Sequence, residues 1–302
     1  MNPLISIIIP TCNKYQIVSN AINSAKEQSW KNIEIVVVDD GSTDQTPNTL
    51  DAISNIIVIR NNINKGVAEA RMKGVLHAKG KFICFLDDDD CWETNHLETL
   101  FKSIDKSSSD VVFSNYKTKI KGISSEFKMD YFSKNFYEKI LMRPGPFLQS
   151  CIFKSSIFRE KKLFDNNAIP SEDWDFFITL AKNKIIFSYS NHCGFIWNFN
   201  SQSQSANLTK EAKAIEYIVK KNKDSILTVH GKNILSDHYR RIARIYEKNN
   251  NFNKAKKKYD EAYLISKYYY KNIFYKFILS FNIGYNFKVI NFFRFFILTK
   301  HN

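Results

Sequence analysis

Four short apolar runs constrain this chain more than any other feature. ISIII (5–9), IEIVVV (33–38), IIVI (56–59) and FICFL (82–86) are each too short for a helix and rich in β-branched or aromatic residues. Such near-continuous apolar runs read as strands buried on both faces. Between them lie helical patterns. Residues 15–28 place apolar side chains at 18, 22 and 25, Thr46 and Pro47 open a second helix, and 67–78 form a third. The βαβαβαβ order predicts a parallel sheet with helices on both faces and a ligand crevice beyond the carboxyl ends of its strands.

Three of the four runs stop at polar clusters: Pro10-Thr11-Cys12-Asn13, Asp39-Asp40-Gly41-Ser42 and Asp87 to Asp90. The topology brings these clusters to one edge of the sheet. Four adjacent carboxylates repel one another, and burying them unpaired is costly. One reading is a solvated acidic turn. The other is a site for Mg²⁺ or Mn²⁺ with a diphosphate, because hard oxygen ligands suit those ions. No G-x-G-x-x-G follows the first run, which argues against a dinucleotide-dependent dehydrogenase.

From 111 to 200 the pattern turns to strands and loops, with strands expected at 110–115, 149–153 and 185–189. Ser171-Glu172-Asp173 reads as a helix start, with Ser171 as N-cap and acids in the first turn. Beyond residue 205 the chain becomes helical. Small and aromatic residues at Ala243, Tyr246, Phe252, Ala255, Tyr259 and Ala262 resemble one tetratricopeptide-like hairpin, which needs a neighbouring element to cover it.

Charge divides the chain at the same place. Residues 1–205 carry 24 Lys/Arg against 23 Asp/Glu, whereas 206–302 carry 20 against 7. The overall charge of +14 therefore belongs almost wholly to the last third. That separates it from the crevice, and with no recognition motif present a nucleic-acid partner is not expected. Five cysteines with no C-x-x-C pair argue against a disulfide framework or zinc module and for a reducing compartment. No signal peptide and no spanning helix are expected, the most apolar stretch (273–298) being broken by Lys276, Lys288 and Arg294.

Five motifs occur in order: SIIIPTCN (6–13), IVVVDDGS (35–42), NKG (64–66) with Ala70-Arg71, FLDDDD (85–90) and SED (171–173). Together they resemble family 2 glycosyltransferases of the bacterial surface-glycan type. The resemblance implies a GT-A fold, a Rossmann-like mixed sheet flanked by helices, over 1–205, with a helical extension over 206–302. It implies inverting transfer from a UDP-sugar to a glycan or lipid-linked acceptor. The alternative is a non-catalytic nucleotide-sugar or glycan-binding module on the same scaffold.

By that resemblance, Pro10 and Thr11 line the nucleoside pocket, and Asp40, with Asp39 beside it, bonds the base. Gly66 allows close backbone approach, and Arg71 faces the nucleotide or diphosphate. Asp89 binds Mg²⁺ or Mn²⁺, Asp87 and Asp88 reach the ribose and metal waters, and Asp90 supports them. Asp173 is the general base, and Trp174 is either a sugar platform or core. The chain departs from the pattern at WNFNSQSQS (197–205), where Asn198 and Asn200 replace an expected Arg and His. The tail, 259–302, holds 15 aromatics with interspersed lysines and one arginine. Its two readings are a helical subdomain packed on the rest, or a peripheral surface for the inner face of the cytoplasmic membrane.

Overall fold

The computed structural model describes residues 2–120, 123–159, 163–198 and 207–273. Asn200 and most of the aromatic tail, 274–302, lie outside the described residues. The chain divides into two compact units, with the boundary between Ala206 and Asn207.

The first unit is built on a nine-stranded sheet. Its parallel half runs β3 (Ile57–Arg60), β2 (Ile33–Asp39), β1 (Ile5–Thr11) and β4 (Phe82–Phe85). Ile5, Ile7, Ile8, Ile9 and Val36 to Val38 are fully buried or nearly so, as a strand covered on both faces requires. Helices α1 (Val18–Lys26), α2 (Thr46–Asp51) and α3 (Val67–His77) connect these strands. The α1 helix starts later than its pattern suggests, because Ile17 and Val18 both donate to the Lys14 carbonyl in a preceding turn.

Beyond β4 the sheet stops being parallel. β8 (Cys151–Lys154) pairs antiparallel with both β4 and β6 (Val111–Ile120), and β6 then pairs parallel with β9 (Phe187–Asn198). Two short strands complete it: β5 (Cys91–Trp92) on β9 and β7 (Ile123–Phe127) on β6. The sheet is therefore mixed, as in a GT-A fold. Helix α4 (His96–Lys106) follows β5, and α5 (Phe136–Met142) precedes β8. Helix α6 (Glu172–Lys182) begins where the acids predict, but the Ser171 side chain makes no capping bond. Its backbone carbonyl instead accepts from Trp174 and Asp175.

An aromatic cluster supports the crevice from below. Phe164 stacks on Phe176 with ring centroids 4.4 Å apart, and Phe85 meets Phe153, Phe158 and Phe164 edge-on at 5.7–5.8 Å. Each such pair adds about 0.5–1.5 kcal/mol beyond area burial and fixes the side chains resting on it.

The second unit consists, among the described residues, of α7 (Leu208–Lys221), α8 (Lys223–Lys248) and α9 (Phe252–Ile265). Helices α8 and α9 form the expected hairpin, burying Tyr239, Ala243 and Tyr246 against Ala255, Tyr259 and Ala262. The neighbour such a hairpin needs is α7, which buries Ile215, Ile218 and Val219 and ties to α9 through Glu216 and Lys258 at 2.7 Å.

Candidate active site

At the carboxyl end of the parallel strands, where the resemblance expects the nucleoside, β1 and β2 finish in register, Thr11 beside Asp39, and the Asp40 amide donates to the Thr11 carbonyl at 2.8 Å. Pro10 and Thr11 are both buried in the end of β1, so they form the wall there. Asp39 is 2% exposed and accepts from the Ser42 amide at 3.0 Å. Asp40 is more heavily engaged. Its Oδ1 accepts from Asn61 Nδ2 at 2.7 Å and the Lys65 amide at 3.0 Å, and its Oδ2 accepts from the Gly66 amide at 2.8 Å. Asp40 thus pins the loop entering α3, and its three protein donors leave little of the carboxylate's capacity for a further N–H. Gly66 has φ +92°, so its glycine answers a backbone requirement as well as close approach.

In the aspartate run, the four carboxylates are held differently. Asp87 has both oxygens engaged: Arg71 Nη2 donates to Oδ1 at 2.8 Å, and Gln149 Nε2 donates to Oδ2. Burial, then the charges of Asp89 and Asp87, pushes Asp88 up to about 7. Burial and then Asp87 also raise Asp89, whose side chain accepts no bond from another described residue. Asp90 is 3% exposed and raised well above the carboxylate range, chiefly by burial. The run therefore resists carrying four negative charges at once. Asn198 steadies it, its amide donating to Asp90 Oδ1 at 2.9 Å and its Nδ2 to the Asp89 carbonyl at 3.0 Å.

Arg71 joins this run to the first turn of α6. It is 2% exposed, with Nη1 donating to Glu172 Oε1 at 2.9 Å and lying 3.5 Å from Asp173 Oδ1. Burial alone would favour the neutral guanidine, but Asp87, Asp173 and Glu172 outweigh it and hold the charge. The expectation that Arg71 faces the nucleotide meets a different geometry, in which both terminal nitrogens are committed to carboxylates. Asp173 is raised to about 7 by burial, against the opposing pull of Arg71. Its other oxygen accepts from the Leu148 amide at 3.2 Å, and 23% of its side chain remains exposed. An acceptor hydroxyl can reach it. Trp174 cannot serve as a sugar platform: it is 2% exposed and its indole donates to the Ile140 carbonyl at 2.7 Å. Its position on α6 turns it into the core.

The fold thus gathers Asp87 to Asp90, Arg71 and Asp173 around one carboxylate-rich cleft, with Thr11, Asp39 and Asp40 at the adjoining strand ends. Sequence reasoning missed Gln149, Asn61 and the bracing by Asn198. Only Gln149 carried a signal, as a polar side chain inside an otherwise apolar stretch leading into a buried strand.

Similarity to known proteins identifies the family and the fold. The model for "Glycosyl transferase family 2" matches residues 6–165. An Escherichia coli enzyme, UDP-Glc:alpha-D-GlcNAc-diphosphoundecaprenol beta-1,3-glucosyltransferase WfgD, is 30% identical over 215 residues, covering 70% of this chain and 83% of the relative. Among solved structures, Staphylococcus aureus TarS 1-349 in complex with UDP-GlcNAc aligns with TM-score 0.59 and 17% identity, covering 88% and 93% of the two chains. Mannosyltransferase PcManGT from Pyrobaculum calidifontis, in complex with GDP-Man and Mn²⁺, aligns with TM-score 0.60 and 14% identity over 95% and 82%. The solved structures show a GT-A type of fold, and the family model with the 30% identical relative makes the protein a glycosyltransferase. This chain belongs to glycosyltransferase family 2.

Proposed function

We propose that the chain moves a sugar from a UDP-sugar onto a lipid-linked acceptor in cell-surface polysaccharide synthesis, with inversion at the anomeric carbon. One observation carries this reading. A single buried guanidinium, Arg71, bonds Asp87 on the donor side at 2.8 Å and lies 3.5 Å from Asp173 on the acceptor side. The two carboxylates therefore flank the same small volume, where donor and acceptor have to meet. The similarity to a diphosphoundecaprenol-dependent glucosyltransferase supports the acceptor class.

In this reading Asp173 takes the proton of the acceptor hydroxyl. The oxygen forms a bond to the anomeric carbon from the face opposite the leaving group, the bond to phosphate oxygen breaks, and UDP departs with the electron pair. Burial suits Asp173 to the task, since a base near 7 is about half ionised at neutral pH and is a stronger proton acceptor than an ordinary carboxylate. Thr11, Asp39 and Asp40 bound the nucleoside end, and Asp87 and Asp88 reach the ribose.

The donor set fits Mg²⁺ or Mn²⁺. Asp89 presents a carboxylate oxygen that accepts no bond from another described residue. Among the described residues no three His, Cys, Asp or Glu side chains form a metal cage, so in this reading phosphate oxygens and water would have to supply the remaining ligands. When bound, such an ion supplies Lewis-acid stabilisation of the departing diphosphate. Peripheral membrane contact on the inner face belongs to the same proposal. Tyr268 is 92% exposed beside Lys267, with Tyr270 and Leu264 also exposed. No helix of the described residues is long and apolar enough to cross a membrane. The test is UDP release across a panel of UDP-sugars with a diphosphate-lipid acceptor. Release with one donor, lost in Asp173→Asn, supports the reading. No release with any donor, with the acceptor class varied, would remove it.

A further inference from the structure

Gln149 is a buried amide whose surroundings point to the donor side of the cleft. It sits two residues before β8, in a turn of three residues from Leu148 to Ser150, and is 3% exposed. Its Nε2 donates to Asp87 Oδ2, the oxygen that Arg71 leaves free. Asp87 is therefore gripped from two elements, by a cation on α3 and by a neutral donor from the turn before β8, the strand next to β4. A carboxylate with one oxygen held can rotate about its Cβ–Cγ bond. With both held by separate elements its plane is fixed.

Gln149 is itself fixed from behind. Its backbone carbonyl accepts from Trp92 Nε1 at 2.8 Å and from His96 Nε2 at 3.2 Å, both side chains being buried. The adjoining Leu148 amide donates to Asp173 Oδ2 at 3.2 Å. Two consecutive residues thus hold the donor-side and acceptor-side carboxylates at a set separation, and Arg71 closes the circuit through their other oxygens. A glutamine is suited to this position. Its N–H holds an ionised Asp87 without adding a second cation that would draw Asp87 away from the substrate.

We propose that Gln149 is a positioning residue for donor binding, acting through Asp87 to aim that carboxylate at the nucleotide. This rests on the UDP-sugar reading above. The role differs from packing, because it depends on the N–H donor and on the presence of Asp87.

The experiment is a double-mutant cycle read by UDP affinity in the full chain. The variants are Gln149→Met, which keeps length and removes the donor, Asp87→Asn, and the two combined, with thermal unfolding recorded alongside. Gln149→Met should weaken UDP binding by about tenfold, the equivalent of roughly 1.4 kcal/mol, and leave the acceptor KM within about twofold of wild type. Combined with Asp87→Asn it should add little, since residues acting through one another are non-additive. Gln149→Glu, similar in shape and facing Asp87 with a like charge, should weaken UDP at least as much, and it serves where the methionine variant fails to fold. Folded Gln149→Met or Gln149→Glu with wild-type UDP affinity would overturn the assignment while leaving the enzyme's function standing, as would full additivity in the cycle. Wild-type protein that binds no UDP would overturn both, and that arm separates the two failures.

Discussion

Arg71 Nη2 and Asp87 Oδ1 meet at 2.8 Å, and the arginine is so deeply buried that it has no solvent to replace its carboxylate partners, although Asp87 itself stays partly exposed. Its guanidinium carbon also lies 5.9 Å from the centre of the Phe164 ring. Removing one member of a buried pair leaves the other uncompensated and costs about 3–5 kcal/mol. Arg71→Met should therefore lower stability by that order in urea titration. Where the variant stays folded, it should also raise the Asp173 pKa, because the opposing cation is gone. The rising limb of the pH–rate profile would then move to higher pH. An unmoved limb would show that Arg71 does not tune the base.

As the proposed base, Asp173 should give the wild-type profile its shape. The base works deprotonated, and burial raises it to about 7. Acceptor-dependent kcat/KM should rise about tenfold per pH unit below that value and level off above it. Asp173→Asn should lose at least about 10²-fold in kcat and flatten the limb, with UDP affinity little changed. The same shift has a cost in stability. A carboxyl raised in the folded state favours folding while protonated, below its ordinary value of 3.8. That contribution is lost as pH rises from there through about 7.

Much of this cleft was legible in the sequence because strand-end position is a local property. Pro10, Asp39 and Asp87 follow apolar runs whose period and length define strands, so their clustering follows from topology alone. The contacts of Arg71 were not legible. Its partners Glu172 and Asp173 lie about a hundred residues away, and a charged residue on a short helix carries no mark of burial. The antiparallel turn of the sheet at β8 was equally hidden, since pairing direction leaves little trace in a four-residue strand. Trp174 is an intermediate case: the sequence left both a sugar platform and core packing open, and only the burial of its face of α6 decides for the core.

Asp89 separates ligand chemistry from folding. Its side chain accepts no bond from another described residue and is destabilised by burial and by Asp87, so removing it should relieve strain. Asp89→Ala should abolish metal-dependent transfer with an unfolding midpoint equal to or slightly above wild type. Excess chelator should do the same to the wild-type enzyme, and Mg²⁺ or Mn²⁺ should restore it. Full transfer by the variant would exclude Asp89 as the metal-binding residue.

Gly41 tests the loop that carries Asp39 and Asp40. It has φ +72°, and an added Cβ would lie 2.5 Å from the Ile63 carbonyl carbon and 2.6 Å from the Asn64 nitrogen. Both are backbone atoms that cannot swing aside. Gly41→Ala should therefore cost more than the roughly 1 kcal/mol of the left-handed conformation alone. The displaced 63–66 segment should also lose its grip on Asp40, so UDP affinity should fall with stability. A stable variant with normal affinity would show that the loop can be rebuilt.

His96 should make the fold sensitive to acid. It is fully buried, its Nε2 meets the Gln149 carbonyl at 3.2 Å, and its ring stacks on His192 at 5.6 Å. Burial, then His192, depresses its pKa to about 3 from an ordinary 6.5. The unfolded chain binds the proton first, so stability is complete above about 6.5 and falls as pH drops from there towards 3, by about 1.4 kcal/mol per unit for this one group. Asp88 and Asp173 run the other way over part of that window, because raised carboxyls gain protons on folding. The His96 contribution is therefore read as a difference. Wild type and His96→Phe should each be unfolded in urea at pH 7 and pH 5. The wild type should lose about 2 kcal/mol more than the variant between those values. Parallel losses would mean that the imidazole takes up its proton without opening the fold.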